Sequence, residues 1–170
     1  MRKVLLAGAA ALVGICGVAR ADTVTFAKAG WWTAFGGKDG DKAVCGVDAN
    51  GEGHYFAIKR LGKDDFLTVQ LTHDTWKLAE GRALNIAMHF DHFDPWSASA
   101  KVYKTAAGGS GITFTVPYKQ VNRWTADFAR AHDLDLEFVK EKDVDDWDVS
   151  LTGTAAIIQS FSKCLDVMPK

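Results

Sequence analysis

The sequence predicts a mostly β protein, an antiparallel β-sandwich or barrel with two helices in its C-terminal third. Three observations predict this class. Apolar residues recur with a period of two over most of residues 23–116, which is typical of antiparallel strands with one dry and one wet face. Glycine-rich segments separate these runs and supply turns. Two later segments, after Pro117 and Gly153, show the helical period instead.

Ten segments are predicted to be strands. The first three rest on short apolar runs, the next five on clear alternation, and the last two lie between the predicted helices. Short strands at this spacing indicate a sandwich or a barrel. The predicted strands are Val24–Phe26, Trp31–Phe35, Ala43–Val47, His54–Lys59, Leu67–Leu71, Leu84–Phe90, Trp96–Val102, Ile112–Val116, Leu134–Phe138 and Trp147–Leu151.

Two helices are predicted. The first runs from Tyr118 to His132, after Pro117, which suits a helix start. The second begins near Thr154 and runs to about Leu165. Its apolar stripe includes Cys164, which is therefore predicted to lie on the buried side of the helix.

The first 21 residues are predicted to be a secretory signal peptide. Three residues give a basic start, a run of apolar residues and glycine follows, and Ala19-Arg20-Ala21 places small residues where signal peptidase reads them. The apolar run of about 16 residues is shorter than the roughly 20 that a membrane helix needs. Cleavage after Ala21 would leave residues 22–170 as a single β-rich domain, in the periplasm or outside the cell.

Cys45 and Cys164 are predicted to form a disulfide bond. Cys16 lies in the predicted signal peptide, so two cysteines remain in an oxidising compartment, where disulfides persist. Two separate buried thiols are the alternative. Lipidation of Cys16 is disfavoured because the bulky Ile15 stands where a small residue is needed.

The formal charge argues against two classes of partner. The whole chain carries −1; without residues 1–21, which hold three basic and no acidic residues, it carries −4. A mildly acidic chain lacks the basic surface that attracts nucleic acids or anionic membranes. We therefore predict no nucleic-acid partner and, once the signal peptide is removed, no membrane span.

One run of residues is a candidate metal site. In His89–Asp94, imidazole and carboxylate groups are the ligands that zinc prefers, and an extended strand places His89 and Asp91 on one face. A turn would bring His92 round to them. The spacing matches no established motif, because Ala87 stands where a metallo-β-lactamase-like site has another histidine. A solvated strand end is the preferred interpretation, and we predict no cofactor and no catalytic residues.

Six tryptophans provide candidate aromatic binding residues. Neighbouring residues on a strand point to opposite faces, so one of Trp31 and Trp32 is expected to be exposed. An exposed tryptophan could stack on a sugar or anchor a protein partner. Trp96, Trp124 and Trp147 fall on predicted apolar faces and are expected in the core.

Several of these segments resemble the invasion-associated locus B group, small exported proteins of alphaproteobacteria. The likeness lies in the export signal, in Trp32–Phe35 followed by Cys45, and in Val149–Ala156 leading into a helix. The resemblance implies an immunoglobulin-like β-sandwich without catalysis and a link to interaction with a host cell.

Three hypotheses for function remain. The preferred one is a non-catalytic exported domain that binds a protein or cell-envelope partner. The first alternative is a carbohydrate-binding module that uses Trp31 or Trp32. The second alternative is a metal-dependent enzyme or metal carrier at His89, Asp91 and His92.

Overall fold

The structure is a computed structural model that describes residues 22–168, and the predicted signal peptide with Ala21 and Cys16 lies outside the described residues. One 3₁₀ turn, Tyr118–Gln120, precedes the first helix. The elements are β1 (Asp22–Ala29), β2 (Trp32–Asp39), β3 (Lys42–Gly51), β4 (His54–Leu61), β5 (Phe66–His73), β6 (Ala83–Phe90), β7 (Trp96–Lys104), β8 (Ser110–Pro117), α1 (Val121–Arg130), β9 (Asp133–Phe138), β10 (Trp147–Ser150) and α2 (Thr154–Val167).

Within residues 22–168 the ten strands form one open antiparallel sheet. The strand order is β1-β2-β3-β4-β5-β8-β7-β6-β9-β10. The predicted mostly β class, the antiparallel pairing and the two helices near the C-terminus are confirmed. The strands join a single sheet rather than two stacked ones. β5 pairs with β8, which links strands β1–β5 to β6–β8, and β6 pairs with β9, which adds β9 and β10 to the same sheet.

The long sheet curls, so that its last strand lies close to strands near its other edge. The Trp32 indole N–H on β2 donates a hydrogen bond to the Ser150 carbonyl on β10, at 3.0 Å. The rings of Trp147 on β10 and His54 on β4 have centroids 4.7 Å apart. Twisted sheets of about ten strands commonly curl in this way, because strand twist accumulates across the sheet.

Helix α1 fills the inside of the curled sheet with aromatic side chains. The Phe128 ring lies 5.2 Å from Trp32, 5.8 Å from Phe56 and 6.0 Å from Phe90, measured between centroids. Trp124, one turn earlier, stacks on Phe128 at 5.2 Å. All five side chains are buried, so α1 joins strands from both halves of the sheet into one hydrophobic core.

Helix α2 packs against α1 and against the first three strands. Ile157, Ile158 and Phe161 supply its buried face, as the apolar stripe predicts. The predicted disulfide is confirmed: Cys164 of α2 is bonded to Cys45 of β3, with the Cα atoms 5.9 Å apart. The bond therefore joins the C-terminal helix covalently to the sheet. Neither this helix nor α1 is long and apolar enough to cross a membrane.

Side-chain contacts also hold the loop before β10. Arg82, at the start of β6, pairs with both Glu141 and Asp143. The Asp146 carboxylate accepts a hydrogen bond from the Phe138 N–H at 2.8 Å. Val144 is buried between these contacts. This loop fixes the position at which β10 begins.

Candidate ligand-binding groove

An open groove lies where the curled sheet brings its ends together. Its volume is about 270 Å³. It is bordered by the β1–β2 turn, by the β3–β4 hairpin and by strand β10. We call it the Trp31–Trp147 groove. Its lining residues are Trp31, Trp32, Ala49, Asn50, Gly51, Glu52, His54, Phe56, Trp147, Asp148, Val149 and Ser150.

Trp31 provides the most exposed aromatic surface of the groove. It follows Gly30 in the tight turn between β1 and β2, where Gly30 has a φ of +58°. The side chain of Trp31 is 56% exposed, whereas that of Trp32 is fully buried. This confirms the prediction that one of the two neighbouring tryptophans is exposed.

The position of the Trp31 ring depends on a glycine in the facing hairpin. A Cβ atom placed on Gly51 would lie 2.5 Å from Cζ3 and 2.8 Å from Cε3 of Trp31. The six-membered ring of the indole therefore lies directly against the backbone of β3. Any larger residue at position 51 would displace the ring.

Trp32 and Trp147 make the inner side of the groove. Trp32 packs edge-to-face on Phe56, with 5.6 Å between centroids. Trp147 is only partly buried, and its ring contacts those of His54, Phe56 and Trp76. Trp147 packs against the core, as its alternation predicts, but it also leaves part of its ring open to the groove.

Strand β10 bonds to β9 through alternate residues. The Leu151 N–H donates to the His132 carbonyl at 2.8 Å. Because hydrogen-bonded positions recur every second residue in an antiparallel pair, Val149 and Trp147 also bond to β9. The backbone groups of the intervening residues point the other way.

The free edge of β10 therefore presents the N–H and C=O groups of Asp148 and Ser150. Of these groups, the Ser150 carbonyl is bonded to the Trp32 indole. Asp148 has no partner for its outward N–H and C=O in the part of the chain that the structure describes. Both residues line the groove, so one of its walls is an unpaired strand edge.

The surface beside this edge is acidic. Asp133, Asp135 and Glu137 occupy the exposed face of β9, and Asp148 occupies the same face of β10. Asp148 stands directly opposite Asp135. Like charges in this arrangement repel each other and destabilise the pair. Glu52 adds a carboxylate at the opposite wall.

The structure does not bring His89, Asp91 and His92 together around one point. The Asp91 carboxylate accepts hydrogen bonds from the N–H groups of His132 and Asp133, at 2.8 and 2.9 Å. These two bonds hold the pKa of Asp91 below its usual value. His89 instead faces Glu137, with Nε2 and Oε2 3.3 Å apart.

The remaining residue of that candidate set, His92, lies against Phe93, with 4.8 Å between ring centroids. Among residues 22–168, no group of three or more His, Cys, Asp or Glu side chains is placed to hold a metal ion. The run His89–Asp94 marks a strand end and the turn that follows it.

The other two tryptophans expected in the core pack there to different extents. Trp124 is fully buried. Trp96 is half-buried, and its indole N–H donates to the Asp127 carboxylate at 3.0 Å. The Arg123 guanidinium lies 4.7 Å above the Trp96 ring. These contacts occupy the polar edge and one face of Trp96.

Sequence reasoning found Trp31 but missed the β10 edge and the β3–β4 hairpin as the walls of the groove. Alternation shows which face of a strand is buried, but it does not show which strand lies at a sheet edge. A weak signal was present, since Trp147 stands between Asp146 and Asp148 at the end of a short strand. An aromatic residue flanked by carboxylates is unusual for a strand buried on both edges.

Comparison with known proteins found no matching family model, no matching curated protein and no matching solved structure. The resemblance to the invasion-associated locus B group therefore stays a prediction.

Proposed function

We propose that this protein is an exported, non-catalytic domain that binds a protein partner in the cell envelope or on a host cell through the Trp31–Trp147 groove. The observation that carries the proposal is the exposed Trp31 ring at the mouth of an open apolar groove. Large exposed aromatic side chains beside a groove are typical of interaction sites, because they bury much area when a partner binds.

The disulfide supports the exported location. Bonds of this kind persist in the periplasm and outside the cell, and they are rare where thiols are kept reduced. The bond between Cys45 and Cys164 therefore agrees with the predicted signal peptide.

The proposal is tested by capture from envelope extracts with the mature protein as bait. We expect the wild type to retain a specific partner and Trp31→Ala to lose it, because truncating a central aromatic residue commonly weakens binding by about 2 kcal/mol or more. The measurement is quantitative mass spectrometry, followed by titration of the purified partner.

Tyr118→Ala is the matched control. Tyr118 is also an exposed aromatic residue, but it lies away from the groove. It follows Pro117, which pairs with Phe66 at one end of β5. The groove residue His54 pairs with His73 at the other end of β5. Partner capture that survives Trp31→Ala, or that is lost equally in Tyr118→Ala, contradicts the proposed site.

A carbohydrate ligand is the second candidate. The observation that favours it is the presence of Asn50 and Glu52 beside Trp31, which combines hydrogen-bonding groups with an aromatic surface. Of the two tryptophans that this hypothesis names, Trp32 is buried and Trp31 is available for stacking on a sugar. Glycan-array binding that is lost in Trp31→Ala supports this candidate, and binding that survives the substitution excludes this site.

A further inference from the structure

We propose that the occupant of the Trp31–Trp147 groove is an extended polypeptide segment with alternating basic and apolar residues, which adds as a further strand to the free edge of β10. This inference rests on the proposed function and specifies its partner. Three independent features of the groove support it.

The first feature is the unpaired backbone of β10. The N–H and C=O of Asp148 point away from β9, and the Ser150 N–H points in the same direction. An extended segment can satisfy these groups with its own main chain, as in other cases of strand addition. The Ser150 carbonyl already accepts a hydrogen bond from the Trp32 indole. The added strand therefore forms its backbone hydrogen bonds with Asp148 and does not continue the ladder past Ser150.

The second feature is the difference between the two faces of this edge. On β10, Trp147 and Val149 face the aromatic interior, whereas Asp148 and Ser150 face outwards. A strand added beside β10 continues the sheet, so its side chains alternate between the same two sides. Every second residue of the segment would therefore contact the apolar floor, and the residues between would face the acidic surface.

The third feature is charge. Asp148 stands opposite Asp135, and both carboxylates lie on the outer face beside the edge. Lysine or arginine on the added strand would stand next to Asp148 and offset this repulsion. Glu52 borders the other wall of the groove. Lys28 lines a neighbouring pocket with Gly30, Trp31 and Asn50, and no lysine or arginine is among the residues that line the groove.

The inference is tested with three synthetic hexapeptides and the mature, disulfide-bonded protein. The first peptide alternates lysine and valine, the second alternates glutamate and valine, and the third repeats the lysine–valine sequence with methylated backbone nitrogens. Binding is followed by NMR titration of the Asp148 amide and the Trp31 and Trp147 indoles. We expect the first peptide to bind and the other two to bind at least about tenfold more weakly, because the second lacks the charge pairs and the third lacks the backbone hydrogen bonds.

Two variants separate the strand edge from the charge. Asp148→Pro removes both the outward N–H and the carboxylate without removing a ladder hydrogen bond, and edge strands tolerate such a substitution, so its difference from Asp148→Asn reports on the N–H. Asp148→Asn keeps the N–H and removes the charge. We expect about tenfold weaker peptide binding in the first and about threefold weaker binding in the second. Asp166→Asn, on the exposed side of α2, is the charge-matched control and should bind as the wild type does.

The outcomes distinguish the inference from the proposed function. Equal binding of the basic and acidic peptides, or unchanged binding by a folded Asp148→Pro, overturns strand addition. In either case, loss of the captured partner in Trp31→Ala would still support the groove as the binding site. Light scattering that shows a dimer sensitive to Trp31→Ala identifies a second copy as the occupant and overturns the inference. Binding of a glycan that shifts the Trp31 and Trp147 indole signals, with no binding of the lysine–valine peptide, overturns it as well.

Discussion

The Trp31 ring packs against the backbone at Gly51, and it can do so because Gly51 has no side chain. The distance of 2.5 Å between a Cβ at Gly51 and Cζ3 of Trp31 is shorter than real Cβ contacts allow. Trp31 is exposed, so its ring can swing away more easily than the β3 backbone can move. A methyl group at this position should therefore alter the groove and leave the fold intact.

We predict that Gly51→Ala displaces the Trp31 ring and weakens partner binding, while the free energy of unfolding changes by less than about 1 kcal/mol. The measurements are the NMR shift of the Trp31 indole N–H and urea denaturation. Gly109→Ala is the control, because Gly109 also lacks a positive φ and a Cβ atom placed there would meet only the Thr105 hydroxyl, at 3.3 Å. An unchanged Trp31 signal in Gly51→Ala would show that the ring does not rest on the hairpin.

At the scale of elements, Asp91 holds the connection between α1 and β9. Its carboxylate accepts hydrogen bonds from the N–H groups of His132 and Asp133, which join α1 to β9. The residue adopts a φ of +42°, which aspartate tolerates better than most residues do. A carboxylate that accepts two backbone hydrogen bonds is stabilised in its charged form.

The pKa of Asp91 is therefore lower in the folded chain than in the unfolded chain. A group of this kind contributes stability that is present above its unfolded pKa of about 4 and is lost as the pH falls through the folded value. We predict that, as the pH falls below about 5, the free energy of unfolding falls less steeply in Asp91→Asn than in the wild type. Chemical denaturation across this pH range measures the difference.

Asp145→Asn is the control for this pH dependence. Asp145 is exposed in the loop before β10 and forms no ion pair or side-chain hydrogen bond among residues 22–168. Its substitution should leave the slope with pH unchanged. A parallel pH profile for wild type and Asp91→Asn would show that the two backbone hydrogen bonds do not favour the ionised carboxylate.

Elements are also the scale at which the sequence predicts best. The ten strands and both helices each overlap a predicted segment, and the agreement rests on local patterns: short apolar runs for the first three strands, alternation for the others and helical spacing for the helices. The order of the strands does not follow from these patterns. Nothing in Leu67–Leu71 indicates that β5 pairs with β8, or in Leu84–Phe90 that β6 pairs with β9. The groove depends on that order, so its walls could not be predicted.

His89–Asp94 shows the same limit for a candidate site. Histidine and aspartate were correctly expected to lie on an accessible strand end, but their partners come from distant segments. Glu137 faces His89, and the backbone after α1 bonds to Asp91. Residue types alone therefore indicate which chemistry is available, and the tertiary contacts decide whether it is used for binding or for structure.

At the scale of the whole molecule, the curl of the sheet creates the groove, and the core and disulfide maintain the curl. β10 reaches β2 and β4, and Phe128 of α1 packs within the curl against Trp32, Phe56 and Phe90. The bond between Cys45 and Cys164 fixes α2 to β3, and neither cysteine nor any residue of α2 lines the groove. We therefore expect the disulfide to affect stability more than it affects binding.

We predict that the double variant Cys45→Ala/Cys164→Ala unfolds at a lower urea concentration than the wild type. The bonded cysteines are 119 residues apart in sequence. Constraining a loop of about 100 residues in the unfolded chain stabilises a protein by up to about 4.7 kcal/mol, and a loss of about 2–5 kcal/mol is expected. A reductant should lower the urea midpoint of the wild type and leave that of the double variant unchanged.

Below the unfolding transition, the double variant should still bind the partner, because Ile157 and Phe161 keep α2 packed on the sheet. Two free thiols per wild-type chain, titrated under denaturing conditions without reductant, would contradict the bond, and loss of binding by the folded variant would show that the groove depends on it.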